Sequence, residues 1–255
     1  WPGNLKTNID NCSIMPRAYM EGVIKEDLNK LDEEEVTYDT RKVRLLLKSL
    51  ARNETTTASD SKLLSDIILN EKESMSRNTI AKYLQVLDRL FIFNNQLPFG
   101  VGIRSSLRVK QMEKRHFADP AMAAALLNLT PKKLLSDLNT FGFLFEALVE
   151  RDLSIYADSF NGKLYHYQNY NNQEIDAVIE LDDGEWCAFE IKLGANKIDE
   201  AANNLIAADC VLISGHADSM GSPTACESAG IPFVFYNKVR RIIKKYLFFH
   251  FYFKY

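Results

Sequence analysis

Two acids and a lysine stand close together in EIDAVIELDDGEWCAFEIKLG, residues 174–194. Asp176 lies in one short apolar run, and Glu190 and Lys192 lie two apart in the next. Asp182-Asp183-Gly184 separates the runs, and Asp and Gly tolerate the positive φ that two-residue hairpin turns demand. Strand side chains alternate faces, so Glu190 and Lys192 share one face and Ile191 takes the other. Mg2+ prefers carboxylate and water oxygens and usually takes one or two protein carboxylates. Asp176 and Glu190 supply them, with the Ile191 carbonyl as a third oxygen. Mg2+ or Mn2+ held there lowers the pKa of a bound water and offsets charge building on a phosphate. Lys192 helps to deprotonate or orient that water and stabilises pentacovalent phosphorus. The plainer alternative is a surface hairpin with a cross-strand Asp176–Lys192 ion pair, worth about 0.2–1 kcal/mol.

A fourth group comes from a helix. In TFGFLFEALVERDL, residues 140–153, Phe141, Leu144, Phe145, Leu148 and Val149 recur as a wide apolar stripe. Glu146 sits amid it, and a carboxylate with so many apolar neighbours is costly unless paired or functional. With these residues the chain resembles the PD-(D/E)XK nuclease superfamily. The resemblance implies a restriction-endonuclease-like αβββαβ core with a mixed sheet, in an α/β (α+β overall) protein. It also implies Glu146, Asp176, Glu190 and Lys192 as catalytic residues, with Asp176 and Glu190 holding the metal. The usual proline before the aspartate is replaced by Ile175.

Further stretches narrow the resemblance. They are Trp1-Pro2-Gly3, LLKSLARN at 46–53, SRNTIAKYLQVLDRLFIF at 76–93, HFADPAMAAALL at 116–127 and FGFLFEALVERDL at 141–153. With EIDAVIE and AFEIKLG they make the chain similar to the carboxy-terminal part of predicted AAA+ ATP-binding proteins. In those, an ATPase core precedes a winged helix and a nuclease-like domain of unassigned activity. No G-x-x-x-x-G-K-[ST] phosphate loop occurs here. ATP is therefore expected only in a full-length parent, with the upstream ATPase domain as a partner and a homo-oligomer as its assembly.

The elements that must position these groups fall into four segments. Residues 1–57 read as helical, continuing from an ATPase core, with an acidic run at Asp32 to Glu35 and Val43, Leu46, Leu47 and Leu50 at helical spacing. ETTTAS, residues 54–59, reads as a loop. Residues 58–118 read as a winged helix-turn-helix. Ser76 caps a helix with Ile80, Tyr83, Leu84, Leu87 and Leu90 inward, Phe91 to Phe93 form a strand, and Lys114 to Phe117 return. Arg77, Asn78, Lys82 and Gln85 then face a major groove while Arg104, Arg108, Lys110, Lys114 and Arg115 contact phosphate. The alternative is a module that packs on the ATPase core and transmits its nucleotide state. Residues 119–239 read as the nuclease-like domain. Asp119 caps a helix at Pro120 to Leu127, 163–170 form a strand, a helix covers 199–208, and 210–213 and 231–236 form strands. Tyr165, Tyr167, Tyr170 and Gln173 offer either base stacking or ordinary strand packing. Residues 240–255 are a basic, aromatic tail.

A formal charge of −3 over 255 residues excludes a uniformly positive surface, so nucleic acid must be met by a local patch. Four cysteines without metal-type spacing read as free thiols of a cytoplasmic protein. Four scattered histidines argue against zinc. No 18-residue apolar run marks a membrane segment.

Overall fold

The computed structural model describes residue 8 and residues 11–30, 38–100, 111–168, 174–193 and 203. The chain divides into two compact units, Trp1–Gln96 with Met112–Arg151, and Leu97–Gln111 with Asp152–Tyr255.

Helices make up most of the first unit. Helix α1 (Ile14–Gly22) runs through a π-helical turn (Val23–Asp27) into α2 (Leu28–Lys30). Helix α3 (Thr40–Arg52) starts where the Asp39 carboxylate accepts the Arg41 and Lys42 amides. Val43, Leu46, Leu47 and Leu50 line its buried face as their spacing requires. Ser59 and Ser76 cap α4 (Asp60–Glu71) and α5 (Arg77–Arg89) in the same manner. Helix α4 packs against both α3 and α5, and Ile80, Tyr83, Val86 and Leu87 of α5 enter the common core. Leu46→Ala is expected to lower stability by about 2–5 kcal/mol, read from the urea midpoint, because a close-packed site relaxes only partly around a lost side chain.

A short antiparallel ladder closes the helical layer. Phe93 to Gln96 runs beside Lys114 to Phe117, with Asn94 N–H donating to His116 O at 3.0 Å and Gln96 N–H to Lys114 O at 3.0 Å. Thr56 pairs with Arg115 on the other side. One expectation changes here. Phe91 is not in a strand: it holds φ +54° in the turn after α5, and its side chain is exposed. ETTTAS connects α3 to α4 as the expected loop, with Glu54 and Thr55 buried. The cause is the Phe117 amide, which donates to the Glu54 carboxylate at 3.1 Å and pulls it inward.

Asp119 caps α6 (Pro120–Leu126) by accepting the Ala121 amide at 2.8 Å. Because Met122 and Ala123 join the first core, the boundary expected at 118/119 does not separate the two compact units. Helix α7 (Pro131–Ser136), capped by Thr130, was not anticipated. Helix α8 (Leu138–Asp158) covers the apolar stretch around Glu146. Its buried positions are Leu144, Ala147, Glu150, Leu153 and Ala157, whereas Leu148 is exposed. The stripe read from sequence is therefore rotated, and a carboxylate sits on the buried face.

One mixed sheet orders the second unit, β1 (Leu97–Pro98), β2 (Lys163–Gln168), β3 (Glu174–Glu180) and β4 (Trp186–Phe189), in that order. Strands β1 and β2 are parallel and the other pairs antiparallel. Phe99, Tyr165, Tyr167, Ile175 and Val178 form its core. Tyr165 and Tyr167 thus serve strand packing rather than base stacking, while Tyr170 and Gln173 lie outside the described residues. The β3–β4 turn falls at Asp182, Asp183 and Gly184, as expected. Leu181 N–H donates to Glu185 O at 2.7 Å across Asp182, Asp183 and Gly184, and Gly184 takes the left-handed position at φ +84°. The strands expected at 210–213 and 231–236 and the tail at 240–255 lie outside the described residues, as does the 199–208 helix apart from Asn203.

Candidate functional site

Asp176 lies mid-strand in β3 between the buried Ile175 and Ala177. Strand β4 ends at Phe189, so Glu190 and Lys192 stand on its continuation rather than within it. That continuation still runs beside β3, because the Ile191 amide donates to Asp176 Oδ2 at 2.6 Å. Lys192 Nζ reaches the same oxygen at 3.0 Å and Glu190 Oε2 at 2.7 Å. The Glu190 and Asp176 side chains are nearly closed to solvent, at 3% and 9% exposure, while Lys192 is 30% exposed. The cross-strand ion pair of the plainer reading is present, but as half of a three-residue cluster sunk into the sheet.

Two carboxylates share one ammonium, and their protonation follows from that. Burial pushes Glu190 up to about 7, the Lys192 hydrogen bond opposes the rise, and the neighbouring Asp176 carboxylate adds to it. Burial disfavours the Lys192 ammonium, yet Glu190 and Asp176 together outweigh this and raise its pKa above the ordinary lysine value. Lys192 is therefore held as the positive partner of both acids in this arrangement.

An anionic pair of this kind is satisfied by a proton or by a cation. Two carboxylates are also the usual protein share of a Mg2+ shell, so the donor set fits that ion. Among the described residues no cluster of three or more His, Cys, Asp or Glu could hold a metal. Since the folded pKa of Glu190 lies above its unfolded value of 4.5, its contribution to stability is full below 4.5 and is lost as pH rises through about 7. Wild type should lose stability across that window relative to Glu190→Gln, as measured by paired urea titrations.

Glu146 belongs to the first unit. Its Oε1 accepts Lys114 Nζ at 2.6 Å, and Lys114 donates also to Glu150 Oε1 at 2.8 Å. Lys114 is fully buried, so it cannot contact phosphate as the basic stretch suggested. Arg115 is engaged as well, with Asp60 Oδ1 at 2.9 Å and the Ala58 carbonyl at 3.1 Å. Sequence reasoning missed Glu54, Lys114, His116 and Glu150 as a buried charged group. The available signal was Glu150, one turn after Glu146 at the end of the apolar stretch 141–149. On α5 the exposed residues include Arg77, Asn78, Lys82 and Gln85, with Lys82 Nζ 5.4 Å from the Tyr38 ring centroid. Arg104, Arg108 and Lys110 lie outside the described residues. Cys12 and Cys187 are free thiols. Among the described residues no helix is long and apolar enough to cross a membrane.

Fold and site together define a mixed α/β protein with a helical unit and a sheet-borne carboxylate–lysine cluster. Residues 1–133, more than half of the chain, match the family described as Domain of unknown function (DUF8612), and the chain belongs to that family. Residues 141–218, which contain the cluster, match Domain of unknown function (DUF4143). No curated protein and no solved structure matches the chain.

Proposed function

We propose that the chain carries a Mg2+- or Mn2+-dependent phosphodiester hydrolase of the PD-(D/E)XK type. It acts on DNA or RNA in the cytoplasm, alongside an AAA+ ATP-binding domain that supplies the ATP site. The observation that carries this reading is the convergence of Asp176 from β3 with Glu190 and Lys192 from the continuation of β4, both acids within hydrogen-bond distance of the lysine. Asp176 and Glu190 hold the ion, which when bound supplies an acidic water and charge neutralisation at phosphate. The Ile191 amide fixes Asp176, so that the carboxylate meets its ligand without rotamer search. Lys192 balances the two acids at rest. Its partial exposure leaves the ammonium within reach of a phosphate oxygen, where it stabilises the charge that grows as the phosphorus becomes pentacovalent. Glu146 enters as a fourth participant from the resemblance alone. The test is incubation of the purified chain with single- and double-stranded DNA and RNA, with Mg2+, Mn2+ or chelator. Cleavage that needs the ion and disappears in Asp176→Asn is expected, and ion-independent cleavage, or none, rejects the reading.

A second reading, a winged helix that binds nucleic acid without cutting it, is favoured by the two capped helices, the ladder behind them and the exposed polar edge of α5. Under it Arg77→Ala/Lys82→Ala weakens DNA binding about equally across sequences and flattens its salt dependence. Fluorescence anisotropy at several salt concentrations measures both.

A further inference from the structure

Helix α5 ends on a residue its turn does not favour. Ile92 N–H donates to Leu87 O at 3.3 Å and Phe91 N–H to Asp88 O at 2.9 Å, the paired bonds of a Schellman turn. Leu87 and Ile92, which bracket that turn, are both fully buried in the first core. The left-handed position between them is most often glycine, which bears no Cβ penalty there. Here it is Phe91, at φ +54°. Its side chain is 83% exposed, the highest value for a large hydrophobic among the described residues. The fold therefore sustains a left-handed aromatic residue and recovers almost no burial from it.

Phe91 follows directly on a polar stripe. Asn78, Lys82, Gln85 and Arg89, at i, i+4, i+7 and i+11, share one face of α5, and all four are exposed. At 1.5 Å per residue the stripe is roughly 16 Å long. Arg77 is exposed at the start of the helix, so α5 carries three cations against one acid, the exposed Asp88. Cations and amide side chains in this arrangement suit phosphates and base edges. A protein that took the ring into an apolar pocket would also draw the exposed Asp88 and Arg89 out of water. A base lies flat on the ring and leaves those groups hydrated, while its strand offers phosphates to the cations. We infer that Phe91 is a stacking platform for an unpaired base, and that with the α5 stripe it holds single-stranded nucleic acid. In a duplex the bases are already stacked on one another, so the platform favours single strands. This surface rests on the nucleic-acid reading of α5 and works without the hydrolase site.

The test compares a labelled single strand of mixed sequence with its duplex by fluorescence anisotropy, using the full chain in chelator so that nothing is cut. Wild type should bind the single strand more tightly. Phe91→Ala should weaken single-strand binding by about tenfold or more and leave duplex binding unchanged, and Phe91→Trp should keep it. Phe91→Gly should weaken it likewise, yet raise the melting temperature by about 2–4 °C, because glycine relieves the left-handed strain. Lost binding with gained stability is a pairing that a merely structural phenylalanine would not give. Equal single-strand binding by wild type and Phe91→Ala overturns the inference and leaves the nucleic-acid reading of α5 standing. A wild-type preference for the duplex does the same. A fall in the stability of Phe91→Gly also overturns it, since the ring then serves the fold. Absence of salt-sensitive binding to either probe overturns both.

Discussion

Lys192→Ala should reduce Mg2+- or Mn2+-dependent cleavage by roughly 10²–10³-fold, the typical loss when one preorganised charge at a developing oxyanion is removed. The structure separates this effect from simple unfolding. Lys192 is bound to Asp176 and Glu190 yet remains partly open to solvent, so its removal admits water to the carboxylates it leaves behind. The two acids, without their internal cation, should then bind Mn2+ at least as tightly as before. Calorimetric titration alongside single-turnover cleavage gives the pattern that matters, in which metal is retained and turnover is lost. Asp176→Asn should lose both. If Lys192→Ala cleaves as wild type does, the ammonium takes no part in the chemistry and the assigned site is wrong.

The largest stability effect is expected at Lys114. Lys114→Met leaves the Glu150 carboxylate, 1% exposed, without its ammonium, and uncompensated buried charges of this kind cost about 3–5 kcal/mol. For a chain of this size each kcal/mol corresponds to about 2–4 °C, so differential scanning fluorimetry should show a fall of roughly 10 °C. Lys114→Met/Glu150→Leu should recover most of the loss, since an apolar pair of similar volume replaces a buried ion pair at little net cost. A single variant as stable as wild type would mean that water reaches Glu150.

What could be read from the chain alone follows from how local each signal is. Capping residues and helical spacing report on neighbours a few positions away, which is why Ser76 and Asp119 start helices where expected. The hairpin bearing Asp176 was legible for the same reason, its turn falling at Asp182, Asp183 and Gly184. Glu190 and Lys192 stand beyond the end of β4 because an amide–carboxylate bond to Asp176, not the strand ladder, holds the chain in line there. Burial of charge was hidden. Lys114 sits in a run of cations, and only contacts 32 and 36 positions away turn it inward. Glu54 likewise depends on Phe117, 63 positions distant. The apolar residues of α8 fixed that it is a helix but not which face turns to the core, because Glu150 is carried inward by Lys114.

The sulfur of Cys187 sits in β4, three residues before Glu190, and burial pushes its thiol up to about 11. Thiolate is the reactive form, so alkylating agents and peroxide find almost nothing to attack while the strand stays paired. Its modification then becomes a clock for transient opening of β4 beside the acids, and oxidative damage there should follow opening of the sheet rather than precede it.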